Sequence, residues 1–180
     1  ALAASAALQS LGLDRRDGLW AAGALAELRA DRLPLAVGTE PPQLAEMSPE
    51  EEHRAELWAT SISTSHPVSF VRDQLDDCHT TASVHELRRT QAKIRVAGVV
   101  THRQRPATAK GVYFLNLGDE TGMLNVIVLP DVWAKHRNTV RRSPALIIQG
   151  RLEHHDGVTN LIAHDFEPLS IQTVQSRDFR

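Results

Sequence analysis

The stretch Val112-Tyr113-Phe114-Leu115-Asn116-Leu117-Gly118-Asp119-Glu120-Thr121-Gly122-Met123-Leu124-Asn125-Val126-Ile127-Val128 decides the fold. Two β-branched and aromatic runs with period-two alternation flank a tight turn, Gly118–Gly122, which predicts an antiparallel hairpin. Three further runs share this texture: Lys93–Arg103 before it, and Ala145–Glu153 and Val158–Phe166 after it. His155-Asp156-Gly157 reads as the turn joining the last two. Pro130–Thr139, between the third and fourth runs, reads as a short helix. Five strands with a helix between the third and fourth is the order of an OB barrel.

Upstream the texture is helical. Leu2, Ala3, Ala6, Ala7 and Leu8 form a short apolar face with Gly12 as its stop. Asp14 is placed to cap a second helix bearing Leu19, Trp20, Leu25 and Leu28. Leu33–Met47, with three prolines and Gly38, reads as a linker. Ser48-Pro49-Glu50-Glu51 is a helix start in which Ser48 and Glu51 cap reciprocally. That helix is expected to run to about Ile62 with Leu57, Trp58 and Ile62 inward. A short helix follows Pro67 over 68–77, and Ser83 is placed to cap a further turn. The expected fold class is thus α+β, with a helical segment over 1–32, a linker over 33–47, a helical connector over 48–92, the OB barrel over 93–168 and a tail over 169–180.

Charge divides the chain in the same place. Residues 1–92 hold eight Arg and Lys against fourteen Asp and Glu; residues 93–180 hold twelve against eight. The second part is therefore the one suited to a polyanion. A single cysteine, Cys78, excludes an intrachain disulfide and points to a reducing, cytoplasmic setting. No apolar run is long enough to span a membrane, so no membrane partner is expected. The alanine-rich start lacks a basic leader and is not read as a signal peptide. The absence of an initial Met suggests a fragment or a processed form.

Alternation assigns the barrel faces. Tyr113, Leu115 and Leu117 share one face with Leu124, Val126 and Val128; Phe114, Asn116, Asn125 and Ile127 share the other, marked as outward by its amides. An outward Phe114 offers a ring on which a base can stack, and amides can read base edges. His102, Arg103, Arg105 and Lys110 line the first hairpin as candidate phosphate partners, and Arg151, His154 and His155, near Asn160, form a second rim. The competing reading of Phe114 is a core ring covered by the helical region, and Asn116 and Asn125 would then only satisfy backbone groups. The histidines at 154, 155 and 164 do not suggest a metal, because adjacent residues in a hairpin point to opposite faces. Asp76 and Asp77 would raise the Cys78 thiol pKa, against a nucleophile. No Asp-x-Asp pair, phosphate loop or GxSxG elbow occurs, so no active site or cofactor is expected within this chain.

The run 112–122, preceded by Gly111, resembles the "GxxFxxLxDxTG" pattern of the OB domain of bacterial C-family DNA polymerase α subunits. Leu8–Arg16 followed by Leu19-Trp20 resembles the end of that family's helix-hairpin-helix region. Ser65-His66-Pro67 resembles the "HP" preceding its barrel. Arg15–Trp20 (RRDGLW) and Ala97–Pro106 (AGVVTHRQRP) are most similar to the error-prone, damage-inducible translesion branch. The resemblance implies a C-terminal, non-catalytic part of such a polymerase, binding single-stranded template DNA in translesion synthesis and DNA repair. Magnesium would belong only to the absent polymerase domain. It also implies accessory mutagenesis proteins and a sliding clamp as partners, although Gln172–Phe179 lacks the spacing of a clamp-binding peptide. Related synthetase barrels imply that the Phe114 position stacks a base and the Asn125 position contacts one. The alternatives are a protein-interaction barrel recruiting mutagenesis factors through Val112, Phe114 and Ile127, and a tRNA anticodon-binding domain.

Overall fold

Asp14 opens the first helix, its carboxylate accepting the Asp17 amide at 2.8 Å, as expected of a cap. The computed structural model describes residues 2–26, 38–87, 92–155 and 157–171. Expectations falling on 27–37, 88–91, Asp156 and the Gln172–Phe179 tail lie outside them. Two compact units separate near residue 64. In the first, α1 (Arg15–Ala26) and α2 (Pro49–Thr60) are tied by arginines. Arg15 Nη1 donates to the Glu52 carbonyl at 2.8 Å, and Arg16 pairs with Glu51 at 3.3 Å. The Ser48–Glu51 capping box forms as expected.

Two expectations fail in this unit. Residues 2–8 form turns, and only Gln9–Leu11 is a 3-10 helix, closed by Gly12. Trp58 and Ile62 are exposed instead of inward. The reason is local: α2 ends at Thr60 with Ser61 in the left-handed region, so Ile62 leaves the helix. The inward position is His53, whose ring bonds Ser63 at 2.8 Å. It shares a face with Leu57 four residues on and not with Trp58.

The second unit is built on the strands. A 3-10 helix, Pro67–Gln74, is followed by α3 (Thr81–Glu86), capped by Thr80 and not by Ser83. Then come β1 (Lys93–Gln104), β2 (Tyr113–Asp119), β3 (Gly122–Val128), α4 (Pro130–Arg142), β4 (Ala145–His155) and β5 (Val158–Pro168). They close in the order β1-β2-β3-β5-β4, with β3 and β5 parallel and the other pairs antiparallel. This is the five-stranded OB barrel. The inward set is the one read from alternation: Leu115, Leu117, Leu124, Val126 and Val128 are all buried. Each such side chain contributes about 1.5–3 kcal/mol by leaving water. α4 closes one end through Val140, Val132 and Trp133, the last stacked on Tyr113 with ring centroids 3.9 Å apart.

Strong bending brings backbone very close at two glycines. A Cβ on Gly98 would lie 2.6 Å from the Gly118 carbonyl oxygen, and one on Gly150 would lie 2.5 Å from that of Ile162. Only a residue without a side chain permits either approach.

The 3-10 helix lies on the barrel wall. Val68 and Leu75 are buried against Ala97 of β1, with Val99 and Ile147 beside them. Its anchor is the β2–β3 turn. The Asp119 carboxylate accepts the Thr81 amide and hydroxyl at 2.8 and 2.7 Å, the Thr121 amide and hydroxyl at 2.8 and 2.7 Å, and Arg72 at 3.2 Å. Arg72 also forks onto Glu120 at 2.6 and 2.9 Å. Burial opposes ionisation of Asp119, but the hydrogen bonds from Thr121 and Thr81 outweigh it and hold the carboxyl below its ordinary value.

Two predictions arise from this packing. Asp119→Asn places an amide donor among donors and is expected to cost about 2–4 kcal/mol at neutral pH, measured by urea unfolding. The acid dependence has a definite sign. The unfolded carboxylate protonates first as pH falls, so the stabilisation is complete above about pH 5 and is lost as pH drops through the lower folded value. The variant is therefore expected to show a shallower loss of stability below about pH 4 than the wild type. Gly150→Ala is expected to cost about 1–3 kcal/mol through overpacking, whereas Ala at the open Gly23 position of α1 leaves stability unchanged or slightly raised.

Candidate nucleic-acid interface

Register across the barrel sets the candidate site. Asn116 of β2 pairs with Asn125 of β3, and Asn125 with Asn160 of β5. His102 of β1 pairs with Asn116 from the other side. Since paired residues on adjacent strands share a face, these four polar side chains form one transverse row on the outer wall, spanning about 14 Å at the usual strand spacing. A second row lies alongside: Gln104, Phe114, Ile127 and Ile162. Past Gln104 this second row is apolar around a single ring, with Ile162 buried at its end; the first carries amides, each both donor and acceptor. Phe114 is half-buried and outside the barrel core, Asn116 and Asn160 are half-buried, and Asn125 is exposed. In the described segment 65–87, the 3-10 helix packs on the β1–β4 part of the wall through Ala97, Val99 and Ile147, and α3 meets the start of β3, where the His85 ring lies 3.0 Å from the Met123 carbonyl.

His102 reaches this row because of a bulge. Val100 pairs with Leu117, Thr101 is extra, and His102 pairs with Asn116. Beyond the extra residue the alternation reverses. Arg103 then falls opposite the inward Leu115 and donates to the carbonyls of Val140 at 3.0 Å and Ser143 at 2.5 Å, at the C-terminal end of α4. Carbonyls left open at a helix end are met there by a cation. Arg103 is thus separated from the other candidates of the first hairpin. Arg105 and Lys110 are exposed on the connection between β1 and β2. Gln104, beside Phe114, was not among the candidates read from sequence, because only the bulge turns it outward.

The second rim divides in the same way. Arg151 is half-buried on β4, paired with Lys93 and with Ile162, at the end of the apolar row. His154 shares the inward phase of Leu152, and its Nδ1 meets the Thr159 hydroxyl at 3.0 Å. His155 is exposed. Among the described residues no group of three or more His, Cys, Asp or Glu is arranged to hold a metal ion. Burial, with a hydrogen bond to Asp77, pushes the Cys78 thiol up to about 11, so it is protonated at neutral pH. No described helix is long and apolar enough to cross a membrane.

Residues 94–169 match the family described as "OB-fold nucleic acid binding domain". The whole chain is similar to the protein named error-prone DNA polymerase in Mycobacterium tuberculosis, at 44% identity over 189 aligned residues. It matches the protein of the same name in Cutibacterium acnes at 46% over 185. All of this chain is covered in both cases, but only 17% and 16% of the relatives. Among solved structures, asparaginyl-tRNA synthetase from Pyrococcus horikoshii aligns with TM-score 0.46 and 19% identity over 55% of this chain and 24% of its own, a likeness too slight to bear on function. The barrel is an OB-fold nucleic acid binding domain, and the chain is related along its whole length to a part, about one sixth, of the proteins named error-prone DNA polymerase.

Proposed function

We propose that this chain is a non-catalytic, C-terminal part of an error-prone DNA polymerase that holds single-stranded template DNA on the outer wall of β2, β3 and β5 during translesion synthesis and repair. The observation that carries the reading is the pair of adjacent rows. Phe114, flanked by Ile127, offers a stacking platform, and the row His102, Asn116, Asn125 and Asn160 offers polar groups at the level of base edges. Arg105 and Lys110 on the β1–β2 connection, with Arg151 and His155 at the other rim, are the partners for phosphates. Arg103 and His154 support the fold around the site, one through α4 and the other through Thr159. With one ring and few cations the affinity is modest and salt-sensitive.

In the same reading the magnesium ions of nucleotide transfer belong to the remainder of the polymerase. Accessory mutagenesis proteins and a sliding clamp are its further partners.

Fluorescence-anisotropy titration of a labelled single-stranded oligonucleotide tests the proposal. Wild type is expected to bind at low salt and more weakly at moderate salt. Phe114→Ala is expected to lose about 1–3 kcal/mol of stacking, roughly 5- to 150-fold in Kd, with little change in the unfolding midpoint. Absence of binding at low salt, or equal affinity of the variant, overturns the template-strand role.

A further inference from the structure

α4 carries more positive charge than its structural task requires. Its inner side seats Val132, Trp133 and Val140, and His136 meets Asp165 at 3.5 Å. Its outer side presents Lys135, Arg137, Arg141 and Arg142, all exposed, against one acid, Asp131. None of the four forms an ion pair among the described residues. The chain as a whole has a net charge of −2, so this is a local concentration.

Structural needs explain only part of it. Arg141 and Arg142 lie in the last turn, where cations complement the helix dipole. That end is already served by Arg103, which bonds Val140 and Ser143. Lys135 and Arg137 are too far from the end to matter to it. Arg137 and Arg141, four residues apart, repel each other by a few tenths of a kcal/mol. The arrangement becomes favourable opposite a polyanion.

The helix also continues the proposed binding face. Ile127, in the apolar row, lies three residues before Pro130, the first residue of α4. Gly111, on the β1–β2 connection with Arg105 and Lys110, backs onto Pro130: a Cβ there would lie 3.6 Å from the proline ring and 4.0 Å from the Arg105 guanidinium. The cations of the connection thus lead directly to α4, whose 13 residues extend about 20 Å further.

We propose that a nucleic-acid strand leaving the outer wall at Phe114 passes the β1–β2 connection and runs along the exposed side of α4, where Lys135, Arg137, Arg141 and Arg142 contact its phosphates. The contacts are to backbone only and carry no sequence preference. This rests on the reading that the barrel wall binds a single strand. The two are separable because phosphate contacts set the salt dependence whereas stacking does not.

The test uses the 180-residue chain with all four residues changed to Gln, a good helix former that leaves the inner side of α4 untouched. The double variant Arg137→Gln/Arg141→Gln, which removes the like-charge pair, serves if the fourfold variant unfolds. Affinity for short and long oligothymidylates is measured as a function of salt. For the long strand, the fourfold variant is expected to lower the slope of log K against log salt by about 2–3, so that its deficit shrinks by roughly 50-fold between about 50 and 200 mM salt. The double variant is expected to give about half that slope change. A short strand that fills only the outer wall should not register either variant. An unchanged slope for the long strand overturns the α4 track and leaves the wall reading intact if Phe114→Ala still weakens binding. A lowered slope with no effect of Phe114→Ala supports α4 and overturns the wall. No binding by the wild type overturns both.

Discussion

The buried carboxylate of Asp119 is the constraint on which the arrangement of the second unit depends. Its oxygens close the β2–β3 turn through Thr121, fix the start of α3 through Thr81, and hold the 3-10 helix through Arg72. A buried charge without partners would cost several kcal/mol; here every partner is a donor, and the group stays ionised. Because three elements converge on one side chain, the segment 65–87 cannot drift along the barrel. It is fixed over β1 and β4, where Val68 and Leu75 meet Ala97. Among the described residues of this unit, that cluster takes in none of the outward residues of β2, β3 and β5.

The composition of that wall is the physical basis for the functional reading. Three asparagines stand in register on neighbouring strands, Asn125 exposed and Asn116 and Asn160 half-buried. Beside a half-buried ring, they form a surface suited to flat, polar-edged ligands. The Thr101 bulge completes it. One extra residue turns His102 and Gln104 outward and sends Arg103 to the end of α4. The same local event therefore builds part of the wall and secures the helix that closes the barrel.

Much of the barrel was legible in the sequence, because strands with one buried face record their register in alternation. The inward set from Leu115 to Val128 and the outward set of Phe114, Asn116, Asn125 and Ile127 were read correctly. So were the helix at Pro130 and the capping box at Ser48, since both depend on local chemistry. What could not be read was non-local or turned on a single residue. The Asn125–Asn160 pairing joins strands distant in the chain through a parallel contact. The bulge reverses the phase of β1 without any glycine or proline to announce it. Trp58 and Ile62 were expected inward because apolar residues at helical spacing suggest a buried stripe, yet α2 stops before Ile62 and buries His53 instead. Arg103 looked like its neighbours Arg105 and Lys110 because charge type does not reveal which face a residue takes.

The most direct test of the proposed wall is a map of perturbed backbone and side-chain amide resonances in the isotope-labelled chain as oligothymidylate is added. The side-chain amides of Asn116, Asn125 and Asn160 and the backbone of Phe114 and Ile127 are expected to shift together, with a common saturation curve. Shifts confined to the opposite wall around Ala97 and Ile147, with the asparagine signals unmoved, would contradict it.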